Sequence, residues 1–167
     1  MIIVCGLRAA ADLVVRHNVG AAIGILGPET THPEFPSLSE KQRLRLSFND
    51  VNAPADGMVT ATEADAERLI AFIQQWDRQA PLLVHCWAGI SRSTATAFAA
   101  LCILRPHADE MVLAQELRAA SASATPNRLI TAKIDEALGR GGRMLRAVES
   151  IGRGSDAFDN SGFVLKI

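Results

Sequence analysis

The sequence contains no tyrosine, and aromatic residues make up only 5% of it, as six phenylalanines and two tryptophans. Lysine occurs three times (Lys41, Lys133, Lys166), so the positive charge is carried almost entirely by arginine. With 17 basic and 18 acidic residues the formal net charge is −1. A chain so balanced has no general attraction for nucleic acid or for a membrane surface, and any affinity for an anion must be local. Cysteine is scarce. Cys5, Cys86 and Cys102 are odd in number and irregularly spaced, which is no disulfide framework, and without a C-x-x-C pair no zinc site is expected. No apolar run approaches the ~18 residues of a membrane span. The opening "MIIVCGLRAAADLVV" lacks a basic leader, and Arg8 and Asp12 interrupt its apolar residues, unlike a secretory signal. These absences point to a cytoplasmic chain whose thiols stay reduced.

What is present suffices for one globular domain: 167 residues, 49% of them hydrophobic. "IIVC" (2–5) and "AAIGIL" (21–26) are short apolar runs that predict strands, with a helix over 9–18 between them that Gly20 stops. "GPETTHPEFPSLSE" is loop. "LRLSF" (44–48) alternates as a third strand, and "NDVNAPADG" is a second loop. Thr60 and Glu63 have capping-box spacing before a helix whose apolar face is Ala66, Leu69, Ile70 and Ile73. "LLVHC" (82–86) follows Pro81 as a fourth strand. Beyond it the chain is helical: Ser91 to Leu104, Asp109 to about Ala120, a helix capped by Thr125 with Pro126 at its first position and closed by Gly139, and a shorter one from Arg143 to Ile151. The last residues have no clear period. The expectation is a single α/β domain over 1–152, with a mostly parallel central sheet of four to five strands flanked by helices, and a C-terminal tail over 153–167.

In such sheets ligands bind beyond the carboxyl ends of the strands, which is where Cys86 lies. The stretch "LLVHCWAGISRST" places Arg92 six positions after Cys86, across a loop that contains Gly89 and opens a helix. The first N–H groups of a helix lack intrahelical acceptors, and with the helix dipole they favour an anion. Arg92 adds a planar grip on two oxygens of a tetrahedral anion. The same positive surroundings favour a Cys86 thiolate, the nucleophilic form. A bare C-x5-R arises by chance roughly one time in four in a chain of this composition, whereas His before, Gly at the third loop position and Ser or Thr after lower that to the order of one in ten thousand. Six positions after Cys5 and Cys102 stand Ala11 and Ala108, so only Cys86 has the arginine.

"HCWAGISRS" resembles the signature H-C-x5-R-[ST] of the cysteine-dependent protein tyrosine phosphatase superfamily, and "AGISRS" is similar to its dual-specificity members. The order of elements from about Leu44 to Leu138 resembles the small dual-specificity fold, and the whole chain looks like a small bacterial tyrosine-phosphatase-like protein. The resemblance implies a phosphomonoester hydrolase that needs neither metal nor other cofactor. Cys86 is then the nucleophile that forms a phosphocysteine. Arg92 and the N–H groups of Trp87, Ala88, Gly89, Ile90, Ser91 and Arg92 hold the phosphate oxygens. Ser93 eases departure of the thiolate, and His85 orders the loop and tunes the thiol. The implied partners are a phosphorylated protein or small phosphomonoester, with inorganic phosphate as product, and neither nucleic acid nor membrane.

The leaving oxygen needs a proton, and in this superfamily an aspartate on an earlier loop gives it. "FNDVNAPADGMV" offers two. Asp50 lies 36 residues before Cys86 and Asp56 lies 30 before, and spacing alone does not choose. Asp50 is preferred because it follows a strand end, while Asp56 precedes Gly57 in an ordinary turn pair. "ATPNRLI" resembles the Pro-Asn at a helix start in dual-specificity enzymes, so Asn127 either supports the loops or lies exposed beside a helix capped by Thr125. Trp87 is either part of the pocket wall or packed beneath the loop. The signature has no lysine, unlike many phosphoinositide phosphatases. The competing reading is a catalytically weak phosphate-binding pseudo-phosphatase that works as an interaction module.

Overall fold

The computed structural model describes all residues from Met1 to Ile167. Four parallel strands form the body of one sheet: β1 (Ile2–Gly6), β2 (Ala21–Leu26), β3 (Arg43–Ser47) and β4 (Leu82–Cys86). A short fifth strand, β5 (Phe163–Leu165), lies antiparallel to β1, giving the order β3-β2-β4-β1-β5. β1, β2 and β4 are buried along their whole length, as expected of short apolar runs covered on both faces. β4 is central, between β1 and β2, with Gly6 registered opposite Cys86. The fold class expected from the sequence is the one observed.

Helix α1 (Leu7–Arg16) covers one face and starts directly at the end of β1. Beside it, the loop that the sequence predicts before β3 contributes Phe35 and Leu38 to the apolar cluster on this face. The other face carries α2 (Glu63–Gln75), α3 (Arg92–Leu104), α4 (Glu110–Ala120), α5 (Arg128–Ala137) and α6 (Arg143–Ile151). α3 runs through the middle of this layer, and every residue from Arg92 to Cys102 is buried. Its four buried alanines, Ala95, Ala97, Ala99 and Ala100, let it lie close to the sheet and to its neighbouring helices.

Three local expectations are corrected. The cap of α2 is Thr62 with Asp65, not Thr60 with Glu63: Asp65 accepts from the Thr62 N–H (3.0 Å) and hydroxyl (2.7 Å), and Thr62 Oγ1 accepts from the Asp65 N–H. The cause lies upstream, where the Asn49 N–H donates to the Val59 carbonyl and the Val59 N–H donates to Asn49 Oδ1, holding the chain out of the helix. The cap of α5 is Asn127, whose Oδ1 accepts from the Ile130 N–H at 3.0 Å. Thr125 is committed elsewhere, its N–H to Ile90 O and its hydroxyl to the Gly154 N–H. Finally, the stretch expected as a tail returns to the molecule: Asn160 pairs with Gly6 and Ala88, and residues 163–165 become β5.

Candidate active site

The parallel strands bring the carboxyl ends of β1, β3 and β4 to one edge, and the loop from Cys86 to Arg92 rises there. Its turn depends on Gly89, which has φ +73°. A Cβ at this position would also collide with the Gly6 nitrogen and the Cys5 carbonyl. No residue but glycine meets both conditions.

The loop's carbonyls are turned outward and tied down. Trp87 O accepts from the Leu7 N–H (3.0 Å), and Ala88 O from the Asn160 N–H (2.9 Å). Ile90 O accepts from the Thr125 N–H (2.9 Å) and the Thr94 hydroxyl. Ser91 O accepts from the Ala95 and Asn127 N–H groups. With the carbonyls outside, the amides point inward. Gly89 N–H donates to Cys86 Sγ at 3.2 Å, while the N–H groups of Trp87, Ala88, Ile90, Ser91 and Arg92 donate to no protein group. Five amides without a protein partner, in a short loop at the mouth of α3, constitute an anion cradle.

Cys86 is buried at the floor of the cradle, and its Sγ lies 3.1 Å from Ser93 Oγ on the first turn of α3. The Gly89 amide and the Ser93 hydroxyl both stabilise negative charge on sulfur. The other thiols sit in apolar core, where burial pushes Cys5 and Cys102 up to about 12, and neither faces such donors. The Arg92 guanidinium is almost fully buried; Nη1 donates to the Phe48 carbonyl at 2.8 Å, which fixes its plane beside the cradle.

Asp50 arrives from the end of β3. Its Oδ1 accepts from the Ser91 hydroxyl (2.6 Å) and from Asn127 Nδ2 (2.8 Å), and its Oδ2 lies 3.5 Å from Arg92 Nε. Asn127 is buried and not exposed; it caps α5 with its oxygen and, with its nitrogen, holds Asp50 and the Val51 carbonyl. Asn52 adds a bond from the Arg128 N–H at 2.9 Å. Asp56 sits on the exposed tip of the loop and makes no hydrogen bond or ion pair.

His85 is on the opposite face of β4 from Cys86. Its ring meets Phe35 edge-on (centroids 6.0 Å apart, 85°) and lies beside His32 above Gly24, where a Cβ would leave no room. Burial, with His32 nearby, pushes its pKa down to about 4, against an opposing hydrogen bond with the Cys86 backbone. Its link to the loop therefore runs through the backbone, not through the thiol. Trp87, the residue after Cys86, is not packed beneath the loop: it is 57% exposed and forms part of the wall of a cavity with Leu7, Arg8, Phe158 and Asp159. No group of three or more His, Cys, Asp or Glu is placed to hold a metal ion, and no helix is long and apolar enough to cross a membrane. Sequence reasoning did not find the bracing role of Leu7 and Asn160, which depends on long-range backbone bonds and leaves no local signal.

Comparison with known proteins gives the same neighbourhood. The family model described as protein-tyrosine phosphatase matches residues 40–123. Among solved structures, human DUSP28 is similar over 83% of this chain and 90% of its own, with 23% identity and a TM-score of 0.66. DUSP15 is similar over 89% and 90%, with 20% identity and a TM-score of 0.63. The human tyrosine phosphatase-like serine/threonine/tyrosine-interacting protein is similar over 84% and 92%, with 19% identity and a TM-score of 0.60. No curated protein sequence matches the chain.

Proposed function

The chain belongs to the protein-tyrosine phosphatase family, and from its site geometry we propose that it hydrolyses phosphomonoesters, phosphotyrosine or dual-specificity protein substrates foremost, through a phosphocysteine at Cys86. The observation that carries this reading is the cradle: five free amides and a buried arginine converge above a thiol that itself accepts from the Gly89 N–H. The Cys86 thiolate attacks phosphorus, the bond to the leaving oxygen breaks, and protonated Asp50 gives that oxygen its proton. The loop amides and the Arg92 guanidinium hold the equatorial oxygens, whose arrangement changes most in the transition state. Asp50, now a carboxylate, takes a proton from water. The water oxygen attacks phosphorus, the S–P bond breaks, and the Ser93 hydroxyl stabilises the departing thiolate. Inorganic phosphate leaves.

Asp50 is assigned the acid because it alone of the two candidates is held at the cradle rim. His85 supports the loop from behind. A reducing, cytoplasmic setting belongs to the same proposal, since the mechanism needs a free thiol. The test is turnover of an aryl phosphate together with mass analysis of acid-quenched protein. Hydrolysis with a phosphate adduct on the Cys86 peptide, both absent from Cys86→Ser, supports the enzyme. No turnover, with inorganic phosphate or vanadate still raising the unfolding temperature, replaces it with an anion-binding interaction module.

A further inference from the structure

Of the eight aromatic residues in the chain, two are exposed, Trp87 at 57% and Phe158 at 82%, and both line the same cavity. The cavity is shallow, of about 80 Å³, and is completed by Leu7, Arg8 and Asp159. It opens on the β1 side of the cradle, across from Asp50. The Arg8 guanidinium lies over the Phe158 ring, 5.5 Å from its centroid, and is in no ion pair. Exposed aromatics gathered in one patch mark a binding surface more often than chance exposure does.

The groove is continuous with the cradle through Trp87. The Trp87 amide is one of the five free donors, its carbonyl is fixed by the Leu7 N–H, and its side chain forms a groove wall. The opposite wall is anchored as firmly: Asn160, two residues after Phe158, bonds Ala88 of the loop and Gly6 of β1. A molecule whose phosphate fills the cradle therefore carries its neighbouring groups over Leu7, Trp87 and Phe158. In an extended peptide adjacent residues are only about 3.3–3.8 Å apart, so the side chain next to the phosphorylated residue is within reach.

Building on the phosphatase reading, we propose that Leu7, Trp87, Phe158 and Arg8 form a subsite for an aromatic or aliphatic side chain flanking the phosphorylated residue of a peptide substrate. The apolar surfaces of Leu7, Trp87 and Phe158 select an apolar side chain, and Arg8, which with Asp159 supplies the charged part of the lining, stiffens the Phe158 wall by cation–π contact. A small aryl phosphate fills the cradle and does not reach the groove.

The test uses phosphotyrosyl peptides with Phe, Leu or Gly on either side of the phosphotyrosine. Binding is measured to Cys86→Ser protein with and without Phe158→Ala, and aryl phosphate turnover is measured on the wild type and on Phe158→Ala alone. Burial of one apolar side chain predicts about tenfold tighter binding of the Phe or Leu peptide than of the Gly peptide. Phe158→Ala should remove that preference, and Phe158→Leu should restore part of it. Phe158 is exposed, so these variants keep the fold, and aryl phosphate turnover stays at the wild-type rate. Equal binding of all peptides, or a preference that survives Phe158→Ala, overturns the subsite. So does equally tight binding of the unphosphorylated peptides, which would make the groove a docking surface independent of the cradle. Absence of aryl phosphate turnover in the wild type defeats the phosphatase reading instead, and the binding contrast still decides the subsite.

Discussion

The loop from Cys86 to Arg92 is held by backbone: four of its carbonyls are bonded to Leu7, Asn160, Thr125, Ala95 and Asn127 amides, and Gly89 is locked against β1. The loop from Asn49 to Val59 is held mainly by side chains, with one backbone bond, Asn49 N–H to Val59 O, at its base. Asn49 and Val59 close its base, Asn127 and Ser91 grip Asp50, and the tip around Asp56 stands in solvent. One loop is fixed by groups that most substitutions leave in place, while the other rests on a few replaceable amides and hydroxyls. The proposed nucleophile and anion donors are thus over-determined, and the proposed proton donor is the adjustable part of the site.

That contrast is broken most severely at the cradle itself. Cys86→Ser should lower kcat by at least about 10⁴-fold, and Arg92→Ala by about 10²–10³-fold, in steady-state hydrolysis of an aryl phosphate. In the side-chain-held loop, Asp50→Asn should cost about 10²-fold in kcat for a substrate with a poor leaving group, while Asp56→Asn stays within about twofold of wild type. Asn127→Ala sharpens the comparison further. It frees Asp50 and uncaps α5 at once, and should lower kcat about tenfold and stability by about 1–3 kcal/mol, measured by urea unfolding. Asn127→Asp keeps the cap but places a carboxylate against Asp50, so it should rescue stability better than activity.

The smallest effect on turnover, felt in stability instead, concerns the support behind Cys86. His85 is held neutral in the fold, with its pKa down to about 4, and titrates near 6.5 when unfolded. The unfolded chain therefore binds the extra proton between these values, and stability should fall as pH drops from about 6.5 toward 4. The loss reaches about 3 kcal/mol for this residue. His32, also pushed down by burial, adds loss of the same sign. Urea midpoints between pH 7 and 5 check this, and His85→Gln should flatten the dependence.

The cradle was legible in the sequence because its parts are contiguous: a short apolar run, a thiol, a glycine, an arginine and a helix start follow one another from Leu82 to Thr94. The fold class was legible from alternation of short apolar runs with helical periods. The caps were misplaced because each depends on a distant partner. Thr60 lost to Thr62 through the Asn49–Val59 pair, and Thr125 lost to Asn127 through the Ile90 carbonyl. β5 has only three residues and no alternation to mark it, and it becomes a strand by pairing with β1, over 150 residues away in the chain. Spacing was silent between Asp50 and Asp56, and the preference for Asp50 came from its place at a strand end; the contacts with Ser91 and Asn127, which no local pattern marks, are what hold it at the rim.

The central claim is that Asp50, held at the rim of the Cys86 cradle, delivers the proton to the leaving oxygen. The pH profile of kcat/KM for an aryl phosphate, recorded for wild type, Asp50→Asn and Asp56→Asn, tests it most directly. A required acid must be protonated, so the wild type should lose activity on the basic side; Asp50→Asn should abolish that limb and Asp56→Asn should retain it. Loss of the basic limb in Asp56→Asn, with the limb intact in Asp50→Asn, would contradict the account.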